Sequence, residues 1–180
     1  AQEGRPAPYN FSGHDVPPVS GYAHPFMTGV RFWGSVLALN AALALAVQVG
    51  APDRPAHSDR QEYEYAGTHG LAPNCGWAIY CYRFLVPVAL NQIPVDWEQR
   101  WRGHRWAAVT AAGTVIAVTT AQLAGGPAAA AVASIITQGS FGFSFTAYDP
   151  YSAEPMVFVI AALITWCWFA NRWLLAFALG

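Results

Sequence analysis

The sequence predicts an all-α protein that crosses a membrane several times, and three observations predict it. Charged residues are only 11% of the 180-residue chain, against 54% hydrophobic ones; a soluble domain carries about 25% charge to keep its surface solvated. The charges also gather in short stretches, leaving apolar runs that at ~1.5 Å per residue match the roughly 30 Å hydrocarbon core. Trp, Phe and Arg stand at several run ends, as they do in membrane-interface belts. A net charge of −1 leaves no basic footprint for nucleic acid. Three Cys are too few for a disulfide framework. All nine basic residues are Arg, which a GC-rich genome explains as well as a need for its planar fork does.

Residues 1–29 read as an extended tail, because Pro6, Pro8, Pro17, Pro18 and Pro25 break any helical or strand period. No signal- or transit-peptide pattern is legible in it. A tail without a core of its own is expected to dock on partner subunits, with Tyr9, Phe11 and Tyr22 as anchors. Residues 30–180 form the helical transmembrane domain.

The first span is 30–49, with Arg31, Phe32 and Trp33 at one end and Asn40 near its middle. An amide in hydrocarbon needs a partner, so Asn40 is expected to face another helix. Residues 51–74 read as a polar connection. The second apolar segment, 75–93, is interrupted by Arg83 and Pro87, and reads as a kinked span or, alternatively, an interfacial or re-entrant segment. Residues 94–105 then interleave Arg100, Arg102, His104 and Arg105 with Trp97 and Trp101. That pattern suits a membrane-surface loop on the positive side and anionic lipid headgroups. Residues 106–124 are the third span, and the turn at 125–127 leads into an Ala-rich fourth, 128–145. Small residues four apart, Ala108/Ala112 and Ala129/Ala133, favour close backbone approach in this hairpin. A last run covers 156–179. The count is therefore about five helices, or four if the Ala-rich segment does not span. Arg5, Arg31, Arg100, Arg102 and Arg105 on one side against Arg54, Arg60 and Arg172 on the other put the N-terminus on the cytoplasmic, matrix or stromal side.

Little in these runs points to chemistry. His14, His24, His57, His69 and His104 lie in tails or loops, and no Cys/His pattern has metal spacing. The carboxylates also lie outside the spans, where a proton path would need at least one inside. Arg83 is the costly residue, expected either to bind an acidic partner or lipid phosphate or to snorkel to the interface.

The reading is a non-catalytic accessory subunit of a larger membrane complex, with an energy-transducing one, respiratory or photosynthetic, as the expected host. It has no catalytic, cofactor-binding or metal residues and no cofactor of its own beyond a structural lipid. Its contacts with lipid or partner subunits are expected at Arg83, Arg100, Arg102, Arg105, Trp97 and Trp101. Two other readings stand beside it. One is a small channel or carrier whose path is lined by Asn40, Arg83, Thr119, Thr120 and Gln138; the other is a lipid- or quinone-processing enzyme using His24 or His104 beside loop carboxylates.

Overall fold

The computed structural model describes residues 29–51, 59–69, 85–124, 126–148, 151–170, 172, 174–175 and 178. The tail anchors Tyr9, Phe11 and Tyr22, as well as Arg83, lie outside them. The described residues form helices and no strands. Among the described residues six helices carry the fold: α1 Val30–Gly50, α2 Asp59–His69, α3 Leu85–Asn91, α4 Trp97–Ala124, α5 Pro127–Ala147 and α6 Glu154–Phe169. Three of them, α1, α4 and α5, are long and apolar enough to cross a membrane.

Helix α4 is the hub, packing against α1, α5 and α6. Its 28 residues rise about 42 Å, so roughly two turns project beyond a ~30 Å hydrocarbon core. Asp96 starts it, accepting a hydrogen bond from the Gln99 backbone N–H on Oδ1 at 2.9 Å. An Asp cap satisfies an amide that the first turn otherwise leaves bare. Residues 97–105, read in the sequence as a surface loop, are thus the opening turns of α4. The signal was there: Asp96 followed three residues later by Gln99 is a capping pattern.

Helices α1 and α4 are antiparallel neighbours. The Gln48 amide donates to the Arg102 carbonyl at 3.0 Å, and the Trp106 indole N–H donates to the Ala41 carbonyl at 3.1 Å. At the other end Phe32 and Val36 pack with Ala117, Val118, Ala121 and Ala130. The start of α1 therefore lies at the opposite end of the bundle from residues 94–105, which corrects the sequence expectation that both share a side. The cause is the connection between them. The 51–74 stretch contains α2, and the described part of 75–93 forms only the seven-residue α3, too short to cross. Both α2 and α3 stay at the α4 N-terminal end, where Tyr63 and Leu90 pack on Trp101.

Helix α5 begins with Pro127 in its first turn, where a missing N–H costs nothing. It is interrupted by a π-helical turn, Gln138–Gly142, before resuming as Phe143–Ala147. Helix α6 returns along α4, opened by Pro155 in its first turn and by Ser152, whose Oγ accepts from the Glu154 N–H at 3.1 Å. It ends at Phe169 rather than continuing to 179 as one helix, so its 16 residues rise only about 24 Å. An edge-on pair, Trp33 with Trp166 at 5.8 Å, ties its far end to the start of α1.

Candidate functional site

Two polar clusters stand out against the apolar frame, one in mid-bundle and one at the α4 N-terminal end. The first joins three helices. Asn40 is fully buried on α1; its Nδ2 donates to Ser134 Oγ at 2.9 Å and to the Val36 carbonyl at 3.0 Å. Its Oδ1 accepts from Gln138 Nε2 at 3.0 Å, and the same Nε2 donates to the Val109 carbonyl of α4 at 3.2 Å. Amides meet this closely only where a neighbour lacks a side chain. A Cβ on Gly113 would collide with Asn40 Oδ1 and lie 2.6 Å from Gln138 Nε2, and one on Gly142 would lie 2.8 Å from Gln138 Oε1. Gly113 is thus a close-approach position on α4, beside the buried Ala108 and Ala112.

Of the residues proposed to line a path, the structure brings Asn40 and Gln138 together. Thr119 and Thr120 instead bond the carbonyls of Val115 and Ile116 on their own helix, at 2.7 and 2.8 Å. Such back-bonding satisfies a hydroxyl without a second helix.

The second cluster contains most of the described residues predicted to contact lipid or partners, and the helix divides them. Trp97, Arg100, Trp101, His104 and Arg105 lie along one stripe of α4, at three- and four-residue spacing. Arg102 is exposed, away from it. Trp101 is 0% exposed. Its ring sits 5.4 Å from Tyr63, 5.6 Å from Trp97, 5.7 Å from His104 and 6.1 Å from Tyr151, centre to centre. Tilted and edge-on pairs of this kind suit the ring quadrupoles. Arg100, half-buried, donates from Nη1 to Asn91 Oδ1 at 2.8 Å, and the Tyr151 hydroxyl donates to Glu98 Oε1 at 2.6 Å. His104 and Arg105 are buried, His104 with a backbone hydrogen bond to Ser152. Trp101 and Arg105 are both buried within the chain, Trp101 among Tyr63 of α2, Leu90 of α3 and Tyr151 of the turn before α6. Missed entirely were Tyr63 and Tyr151, which stand in polar connections with no periodicity to mark them.

Among the described residues no group of three His, Cys, Asp or Glu side chains is placed to hold a metal ion. Fold and site together define a membrane-embedded helical protein with an interhelical amide knot and an aromatic, Arg-bearing cap at one end. No family model matches the chain, and no curated protein or solved structure is significantly similar to it.

Proposed function

We propose that this chain is a non-catalytic subunit of a larger membrane protein complex, contributing helix faces and lipid contacts to its assembly. The observation that carries the reading is the uneven burial of the spans. In the apolar window of α4, 61% of residues are buried within the chain, but only 22% in α1 and 33% in α5. Leu37, Leu45, Val132, Ile135 and Ile136 point outward. An apolar groove of about 510 Å3, lined in part by Ile116, Ala129, Val132 and Ile136, opens between α4 and α5. One helix is thus enclosed by its own chain, while its neighbours offer their faces to lipid or to other subunits.

The amide knot supports a structural role over a conducting one. Gln138 donates to Asn40 and to the Val109 carbonyl, and Asn40 donates to Ser134 and to the Val36 carbonyl, which is interhelical glue. The test is copurification. Mild detergent extraction of native membranes and a mass-spectrometric inventory of what accompanies the chain should return a fixed set of other membrane subunits. Recovery of the chain alone, at full yield and with intact fold, would remove the accessory-subunit reading.

A further inference from the structure

Four buried polar atoms that lack a hydrogen-bond partner among the described residues fall on one stripe of α4: Trp97 Nε1, Arg100 Nε, Trp101 Nε1 and His104 Nε2. They belong to positions i, i+3, i+4 and i+7, so they follow one another over two helical turns. A buried donor left unpaired forfeits the hydrogen bond it made with water, and a folded protein seldom leaves several side by side without a bound water, ion or ligand to serve them.

The chemistry of the missing partner follows from the donors. An indole N–H donates and never accepts, and the guanidinium is a permanent cation with no acceptor. Three of the four atoms therefore demand an acceptor, and Arg100 favours a negative one. The Asn91 bond at Nη1 holds the guanidinium in place while leaving Nε for another partner. Trp97 and Trp101 lie 5.6 Å apart, ring centre to ring centre, so the two indoles and Arg100 belong to one local cluster. The depth fits as well. The uncharged part of α4 begins at Trp106, so the stripe lies where α4 leaves the hydrocarbon and lipid headgroups begin.

We propose that this stripe binds the phosphodiester of one phospholipid headgroup, whose oxygens accept from Arg100 Nε and from the indole N–H groups of Trp97 and Trp101. The site rests on the reading of the chain as membrane-embedded and lipid-contacting, and needs no partner subunit. It also differs from diffuse attraction between a basic surface and anionic lipid, because exposed Arg102 takes no part in it.

The experiment uses the full chain, reconstituted in phosphatidylglycerol nanodiscs, released into mild detergent and weighed by native mass spectrometry. One retained phosphatidylglycerol per wild-type chain is expected. Arg100→Gln and Trp101→Phe should each weaken retention about tenfold, the equivalent of one hydrogen bond to a charged group. Trp101→Phe keeps a ring in the aromatic cluster; should it fail to fold, Arg100→Gln carries the test. Arg102→Gln should retain lipid as the wild type does. Equal losses from Arg102→Gln and Arg100→Gln would overturn the site in favour of diffuse attraction. Wild-type retention by both stripe variants would overturn it outright, and tight binding of inorganic phosphate to lipid-stripped chain would overturn the lipid assignment. Retention is measured on the isolated chain, so its failure is distinct from a failure to copurify with other subunits.

Discussion

At the scale of single residues, the tightest constraint is the meeting of Asn40, Gln138 and Gly113. The two amides fill the space that a Cβ on Gly113 would need. Gly113→Ala should lower stability by about 1–3 kcal/mol, the usual cost of an extra methyl in a packed core. Asn40→Ala should lower it by a similar ~1–3 kcal/mol, since its hydrogen bonds to Ser134 and Gln138 are lost. The double variant is the informative one. Removing the Asn40 amide also removes the tighter of the two collisions and frees Gln138 to move away from the other, so the combined loss should fall short of the sum by at least ~0.5 kcal/mol. Denaturant unfolding in mixed micelles measures all three, and strict additivity would mean that Gly113 is not holding space for Asn40.

At the scale of elements, the π turn at Gln138–Gly142 sets the register of the second half of α5. A π turn absorbs one residue more than the α-helical ladder holds, so the ~100° that this residue would add is not passed on to the turns after it. Gln138 can therefore point at Asn40 while Phe145 and Ala147 still face the core. Deleting Gly139, which has open space around its Cβ position, should close the turn into a regular α-helix and leave Phe145 and Ala147 facing the core, because the residue removed is the one the ladder does not need. The expected result is a thermal midpoint in detergent close to that of the wild type. A loss as large as a core truncation, ~2–5 kcal/mol, would show that the turn does more for packing than absorb one residue.

At the scale of the whole molecule, the path of the chain runs α1 one way, α4 back, α5 forward and α6 back, with α2 and α3 at the end where α4 begins. Arg100, Arg102 and Arg105 sit at that end, while Arg31 and Arg172 border the other. Positive-inside bias thus favours the α4 N-terminal end on the cytoplasmic, matrix or stromal side and the start of α1 on the opposite one. In a cysteine-free background, Gln99→Cys and Ala128→Cys should react with an impermeant maleimide from opposite faces of the membrane, Gln99→Cys from the positive side. Labelling of both from one face would exclude α4 as a complete span.

The class was legible in the amino-acid sequence, because class depends on sums and runs. Scarcity of charge and apolar stretches of membrane length follow from composition, and α1, α4 and α5 each contain a run legible in that way. Asn40 likewise announced its need for a partner, since the cost of a bare amide in hydrocarbon depends on no neighbour. Which residues meet was settled by packing between the helices. Hydropathy reports how apolar a segment is, not where its ends lie, so the expected count of crossings between α1 and α4 inverted the placement of the α1 start. The same limit hid the capped start of α4, whose polar turns look like loop until Tyr63, Leu90 and Tyr151 cover them. Burial of Trp101 and exposure of Arg102, one residue apart in sequence, follow from the 100° that a helix turns per residue. Which side of the helix faces a neighbour is fixed by packing between segments distant in the chain, and no local pattern encodes it.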